Sequence, residues 1–315
     1  MPSVCTACRS SELSRVESVS VDRLARAWAS EKGHGTQSSL QTMRRYIARD
    51  LGASEVEFWQ CSDCELEMAE PMRSWAAAHY PKELQSPGFD HTLALAELRR
   101  MAPSSVLEIG CAEGEFLRRA TAFGHKATGV DFFEESVASA RAAGLDARVA
   151  DVKDLAGILP GARFDVIAMF QIIEHLTDSN EIFSILGRLA AREAVLMIGC
   201  PSDLRYTRRF AHPQRLGRSD FWDYPPQHTL RWNPRSLRLF LSRHGWEVET
   251  IVYEPLGVVA AAAHLTALDG AGLGWYENPV RRRARTLRWC FKIAARSRKS
   301  RLTGIRLFIK ARRAH

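Results

Sequence analysis

Apolar positions along the chain fall into two kinds of stretch. Residues 105–109, 126–130, 164–170 and 194–199 are short and mostly apolar, as suits strands buried in a parallel sheet, and the first gives way to Phe116, Leu117 and Ala120 at helical spacing. Residues 89–101 read as an amphipathic helix ahead of that strand. Residues 237–244 read as another, ended by Gly245, with further strands at 246–253 and 303–311. In the N-terminal part, 22–28 and 40–51 carry helical periodicity and 55–60 reads as a strand. Residues 203–233 carry little periodicity, and a loop of that length in a compact domain is usually functional. An alanine-rich apolar stretch at 258–268 precedes a helix at 279–299. There Val280, Ala284, Leu287, Phe291 and Ala294 form one stripe, predicted to pack on the domain while Arg281, Arg285, Arg288, Lys292 and Arg296 face solvent.

At 315 residues and 46% hydrophobic, the chain can bury a full α/β core with length left for a smaller module, so two units are expected, 1–88 and 89–315. Residues 1–30 lack the pattern of a signal peptide and no apolar run reaches membrane-span length, so a cytoplasmic location is expected. In such a reducing compartment the pairs Cys5-x-x-Cys8 and Cys61-x-x-Cys64 point to metal ligation rather than disulfides. Four thiolates suit one closed, structural, tetrahedral zinc site. The 52 residues between Cys8 and Cys61 exceed the spacing of a compact zinc ribbon, which the helical stretch between them explains.

Charge is unevenly placed. The net charge is +8, yet residues 281–315 hold fourteen Lys/Arg and no Asp/Glu, which leaves −6 for the remainder. Such a basic segment suits an anionic partner: either the surface of an acidic membrane, met through 279–299, or RNA. A solvated basic helix without a partner is the plain alternative.

The candidate chemistry lies where strand becomes helix, across Gly110-Cys-Ala-Glu-Gly114. Gly110 and Gly114 let the backbone approach a ligand, Glu108 can accept hydrogen bonds at the strand's carboxyl end, and the next helix aims its N-terminal NH groups at the crevice. The spacing is neither Gly-x-Gly-x-x-Gly nor a phosphate-binding loop with Lys-Ser/Thr. Asp131, at the tip of the next strand, can hold both ribose hydroxyls of an adenosine.

The stretch from Val106 to Leu117 resembles motif I of the class I S-adenosylmethionine-dependent methyltransferases, Asp/Glu-x-Gly-x-Gly-x-Gly, with Ala112 for the middle glycine. Gln171-Ile-Ile-Glu-His-Leu176 resembles the Glu-His-Leu segment after strand four of that superfamily, and the two cysteine pairs resemble the zinc-binding leader of a subset that includes sugar C-methyltransferases. The resemblance implies a Rossmann-like sheet of order 3-2-1-4-5-7-6 with a small N-terminal zinc-binding module. It implies cofactor contacts from Glu108, Gly110, Cys111, Gly114, Asp131, Asp151, Phe170 and Gln171, with Asp154 an alternative to Asp151. Residues 226–237 resemble the family's Pro-x-His-x-x-x-Phe-Thr/Ser-Pro-x-Ser-Leu pattern over the substrate. Sugar C-methyltransferases have Tyr-x-Glu-His there; this chain keeps Tyr224 and His228 but has Gln227, losing a carboxylate that would orient the histidine.

The expected function is methyl transfer from S-adenosylmethionine, with Zn2+ structural at Cys5, Cys8, Cys61 and Cys64. His228 is the expected base, beside Tyr224 and His175, although His175 could equally be a packing histidine. Arg205, Arg208, Arg209, Arg215 and Arg218 suit an anionic small-molecule or glycan-precursor acceptor, such as a nucleotide sugar or lipid-linked sugar. RNA is the alternative acceptor, and a non-catalytic binding protein that retains the cofactor fold is the alternative class.

Overall fold

The computed structural model describes residues 2–31, 37–76, 88–210, 216, 220–269, 279–297 and 302–314. In chain order the leader contributes β1 (Leu13–Ser20), α1 (Val21–Glu31), α2 (Gln37–Leu51), β2 (Glu55–Cys61) and β3 (Glu67–Glu70). There follow α3 (Phe89–Leu98), β4 (Ser105–Ile109), α4 (Glu115–Ala122), β5 (Lys126–Asp131), α5 (Glu134–Ala142), β6 (Asp146–Val149), α6 (Leu155–Ile158), β7 (Phe164–Phe170), α7 (Ser179–Leu189) and β8 (Ala190–Pro201). The remainder is α8 (Tyr206–Arg209), β9 (Leu230–Arg231), α9 (Pro234–Arg243), β10 (Trp246–Pro255), α10 (Val258–Asp269), α11 (Pro279–Ser297) and β11 (Thr303–Arg313).

The larger sheet runs β6-β5-β4-β7-β8-β11-β10, the expected 3-2-1-4-5-7-6 order. Only β11 opposes its neighbours, pairing antiparallel with both β8 and β10. Successive side chains of a strand point to opposite faces, and the core divides accordingly. Val106, Val166, Ala168, Val195 and Met197 pack with α3, α4 and α5 on one face, while Leu107, Ile109, Ile167, Met169, Leu196 and Ile198 pack with α6, α7 and α9 on the other. All parallel strands therefore end at one edge, where the site candidates collect.

The leader forms a second, antiparallel sheet, β1-β2-β3-β9, whose last strand comes from residues 230–231, far along the chain. Phe221 and Tyr224 of the same insertion join Trp28, Ile47, Leu51, Phe58 and Trp75 in the leader's core. The insertion is thus built into the leader.

One expectation is corrected at α11. Val280, Leu287 and Phe291, predicted to pack inward, are 71%, 59% and 75% exposed, whereas Trp289 and Ile293 are buried. The pair 289/293, one helical turn apart, fits the small side chains of Ala261 and Ala262 on α10 together with Tyr206 and Phe210, and this docking turns the expected stripe outward.

Candidate active site

At the carboxyl end of β4 the chain turns through three left-handed residues, Gly110 (φ 75°), Ala112 (φ 45°) and Gly114 (φ 82°). The Gly110 and Cys111 amides donate to the Val130 carbonyl at 2.8 and 3.1 Å, which ties the turn to β5. A Cβ on Gly110 would lie 2.4 Å from Ile172 Cδ1, and one on Gly114 2.5 Å from Leu145 Cδ1, so the left-handed backbone favours glycine at both positions and a larger residue would also have to displace these side-chain ends. Cys111 is buried with its thiol against Gly129, where burial and the Glu108 and Asp131 carboxylates raise its pKa; the side chain packs the turn.

Two acidic side chains face each other beneath the turn. Glu108 is buried and its Oε2 has no hydrogen-bond partner among the described residues; burial, then repulsion from Asp131, holds its pKa well above the usual carboxylate range. Asp131 accepts from the Ala112 amide through Oδ2 and from the Phe133 amide through Oδ1, each at 2.9 Å, and burial raises its pKa. A carboxylate has about four acceptor sites, so Asp131 is fixed in place with acceptor capacity left. Asp151 is exposed and caps the short turn after it, accepting from the Lys153 amide at 2.9 Å.

At the end of β7 the structure gathers residues that the sequence did not join. Phe170 packs between His91, 4.1 Å between ring centres, and Phe116. Gln171, left-handed at φ 57°, donates through Nε2 to Asp90 at 2.9 Å, and Arg306 of β11 meets the same buried carboxylate at 2.7 Å. Against burial, the hydrogen bond with His91, then the charge of Arg306 and the hydrogen bond from Gln171, hold the Asp90 pKa well below its ordinary value. Gly199 makes room for it, since a Cβ there would come within 2.3 Å of Asp90 Oδ2.

Beyond Gln171 lies the second cluster. Glu174 is buried and neither of its carboxylate oxygens has a hydrogen-bond partner among the described residues; its Oε1 is 3.9 Å from His175 Nε2 and 4.0 Å from His228 Nε2. The Glu174 carbonyl accepts from the Thr229 and Leu230 amides at 2.9 and 3.2 Å, pinning the histidine loop to this turn. His175 Nδ1 pairs with the Gln227 carbonyl, and His228 Nδ1 with Asp223 Oδ1 at 3.2 Å. Burial lowers both imidazole pKa values, that of His175 to about 3, so both rings are neutral near pH 7. The carboxylate that Gln227 lacks is supplied by Asp223, five residues upstream of His228, while Gln227 accepts from Trp75 Nε1 at 2.9 Å. Ligand atoms of Glu174, His175 and His228 all lie within 4.8 Å of one another, close enough to share a cation.

Two expectations fail here. The Tyr224 hydroxyl is not directed at the histidines: fully buried in the leader's core, it meets Glu17 at 2.6 Å and the Leu216 carbonyl at 3.1 Å. Nor do the arginines of the insertion wait for an anion. Arg205 pairs with Asp223, and Arg208 with Glu67 at 3.1 Å. Arg231, opposite Glu67 in the β3–β9 register, meets Glu67 at 2.8 Å, Asp223 at 3.0 Å and Glu17 at 3.2 Å, with its guanidinium 3.5 Å from the Phe58 ring centre. Arg215 and Arg218 lie outside the described residues, as does the side chain of Arg209. Only β9 and the charge pairing across it could have signalled this network, and a two-residue strand is too short to read in sequence.

The four leader cysteines do converge. Cys5 Sγ is 3.4 Å from Cys64 Sγ, Cys8 Sγ is 3.4 Å from Cys61 Sγ, and all four sulfurs lie within 4.8 Å of one another. Each pair closes the same turn, with a left-handed residue after its second cysteine, Arg9 (φ 69°) and Glu65 (φ 62°). Zn–S bonds of about 2.3 Å in a tetrahedron need sulfurs about 3.8 Å apart, which this cluster accommodates.

Residues 77–251, just over half of the chain, match the family described as "Methyltransferase domain". A Mycolicibacterium smegmatis protein named "Probable S-adenosylmethionine-dependent methyltransferase" is 32% identical over 180 residues, 55% of this chain and 63% of its own length. A "Ubiquinone biosynthesis O-methyltransferase" of Chromobacterium violaceum is 27% identical over 146 residues, 38% of this chain and 62% of its own. The chain thus spans less than two thirds of either relative. The crystal structure of a SAM-dependent methyltransferase from Archaeoglobus fulgidus aligns at TM-score 0.47 and 18% identity, covering 71% of this chain and 94% of that one. The extent of the family match and the observed strand order agree: the chain belongs to the methyltransferase domain family and has its Rossmann-like α/β fold.

Proposed function

We propose that the chain transfers a methyl group from S-adenosylmethionine to a small-molecule or glycan-precursor acceptor whose proton is taken by His228. The observation that carries this reading is the continuity of the polar path: Glu108 and Asp131 lie under the glycine turn, Gln171 follows β7, and Glu174 in the next turn faces the His228–Asp223 pair. Glu108, Gly110, Gly114 and Asp131 would hold the cofactor, with Cys111 contributing backbone only, and Phe170, Gln171 and Asp151 at its margins. The buried, unmatched Oε2 of Glu108 fits a ligand that brings a hydrogen-bond donor, and the α-ammonium of the cofactor is one. When bound, the cofactor supplies an electrophilic methyl sulfonium, and positioning does most of the rest.

His228 suits a base because its Nδ1–H is committed to Asp223, which leaves Nε2 as the lone-pair nitrogen. Asp223, ionised between Arg205 and Arg231, would stabilise the imidazolium that forms. His175 acts as a positioning residue, holding the loop through the Gln227 carbonyl. Among the described arginines of the insertion, Arg205, Arg208 and Arg231 are already neutralised by acids, so they hold the loop rather than offer a site for a phosphate on the acceptor. In the leader, Cys5, Cys8, Cys61 and Cys64 would hold one structural zinc, whose binding adds to folding free energy.

Calorimetry tests the central claim. S-adenosylmethionine and its demethylated product should bind the purified chain with micromolar affinity, about −7 to −8 kcal/mol. No heat of binding for either would overturn the methyltransferase reading. Elemental analysis should give one zinc per chain, lost in Cys61→Ser; metal-free protein with an unchanged melting curve would remove the zinc.

A further inference from the structure

The outward turn of α11 leaves a helix with three distinct faces. At 3.6 residues per turn, Val280, Ala284, Leu287, Phe291 and Ala294 fall within a stripe about 80° wide, and all five are exposed. Trp289 and Ile293 lie roughly opposite, buried against α10, Tyr206 and Phe210. Arg281, Arg288 and Lys292 border the stripe on one side and Arg283 on the other, with Lys292 Nζ 4.2 Å from the Trp289 ring centre. Residues 279–297 contain seven Lys/Arg and no Asp/Glu.

We propose that α11 docks the protein on an anionic membrane surface, lying in the plane of the headgroups with Leu287 and Phe291 dipping toward the acyl chains and the flanking arginines meeting lipid phosphates. A helix that is merely solvated has no use for a phenylalanine 75% exposed in line with a leucine 59% exposed. An apolar stripe edged by cations, on a helix docked by its third face, has the form of an interfacial helix. A second copy of the chain fits poorly, since pairing through the stripe would bring two sets of cations together with no acid on either helix. No helix among the described residues is long and apolar enough to cross a membrane, so the contact is peripheral.

Topology places this surface usefully. β10 runs parallel to β8, because each is antiparallel to β11, so the α10–α11 pair leaves the sheet at the edge where the glycine turn and the histidine loop lie. Tyr206 and Phe210, which receive α11, belong to the insertion that carries His228. The membrane would therefore be held on the side of the acceptor site. This inference stands on exposure and charge and does not require the methyl-transfer reading.

The test is sedimentation of the full chain with vesicles of phosphatidylcholine alone or mixed with phosphatidylglycerol, at low and physiological salt. The variants are Leu287→Ser/Phe291→Ser and Arg281→Gln/Arg283→Gln/Arg288→Gln, each checked for an unchanged melting curve because all five side chains are exposed. Wild type should sediment with the anionic vesicles only. The serine pair should weaken binding tenfold or more, and the glutamine triple by roughly a hundredfold, about fivefold per cation. Wild type remaining in the supernatant would overturn the proposal. So would a serine variant that binds as wild type does, which would mark a general polyanion surface of the kind RNA uses, or a wild-type dimer that the serine variant abolishes.

Discussion

The two halves of the candidate site handle buried charge in opposite ways. Beneath the glycine turn, burial pushes both Glu108 and Asp131 toward the protonated form, and repulsion from Asp131 adds to the effect on Glu108. Around the histidine loop, Asp223, Glu67 and Glu17 are matched by Arg205, Arg208 and Arg231, and Asp223 stays ionised despite full burial. The first arrangement is tolerable where a ligand brings positive charge; the second makes a rigid mount for a neutral base. A buried pair of like charges thus marks where something binds, and a closed network marks what holds the site in shape.

The largest effect should come from breaking the closed network. Arg231→Met removes the shared partner of Asp223, Glu67 and Glu17 and leaves buried carboxylates short of a counter-charge, which should cost about 3–5 kcal/mol in denaturant unfolding. Asp131→Ala should cost far less, because it relieves Glu108. Equal losses would dissolve the distinction between the halves.

A pH experiment reads Glu174, which sits where the halves meet. Burial, followed by repulsion from Asp90 and Asp223, raises its pKa in the folded chain. Between the unfolded value near 4.3 and the raised folded value the native state holds the extra proton, so stability from this group is full at low pH and falls as pH rises. Glu174→Gln should therefore match wild type near pH 4 and gain on it above, by at most about 1.4 kcal/mol per pH unit. His175 and His228 act in the opposite sense. Their lowered pKa values give stability that is full above about pH 6.5 and is lost as pH falls, toward about 3 for His175. Melting curves of both proteins from pH 4 to 8 separate these contributions, and a constant gap between them would show that Glu174 is ionised in the fold.

How legible each half was in the sequence follows from the same contrast. The cofactor half is contiguous: strand, glycine turn, helix and the next strand tip run from Ser105 to Asp131, so local periodicity and spacing expose it, and the sheet order followed. The other half is assembled from residues 17, 67, 205–208 and 220–231, which meet only because a two-residue strand joins the leader sheet. Nothing local in the sequence pairs Glu67 with Arg231, or shows that Asp223 takes the place of the missing carboxylate at Gln227. The stripe on α11 was read correctly as a stripe and wrongly as a buried one, because periodicity says which residues share a face and not which face has a neighbour.

On the cofactor side a smaller effect is expected. Asp131→Ala should weaken binding of S-adenosylmethionine roughly tenfold or more, through loss of charge-assisted hydrogen bonds. Burial and Asp131 raise the Glu108 pKa, and a cofactor ammonium placed against it should lower it again and drive off a proton held there. Calorimetry in buffers of different ionisation enthalpy should then show proton release on binding, lost in Glu108→Gln. Proton-neutral binding by wild type would put the ammonium elsewhere.

The smallest effect is the one that separates a structural tyrosine from a catalytic one. Tyr224 lies four residues before His228, one more than in Tyr-x-Glu-His, and its hydroxyl points to Glu17 and the Leu216 carbonyl within the leader's core. A hydroxyl has one proton to donate, so these two acceptors share it, and Glu17 keeps Arg231 at 3.2 Å if it is lost. Tyr224→Phe should then cost only about 0.5–1.5 kcal/mol in unfolding, leave cofactor affinity unchanged, and slow methyl transfer no more than a mild loosening of the histidine loop would. A base or acid in proton transfer behaves otherwise, since its removal typically costs a hundredfold or more in rate with little change in stability. Turnover of Tyr224→Phe and His228→Gln measured side by side, each with its unfolding curve, decides the matter. A rate loss at Tyr224 as large as that at His228, with stability intact, would move the tyrosine back into the chemistry and place its hydroxyl on the acceptor during the reaction.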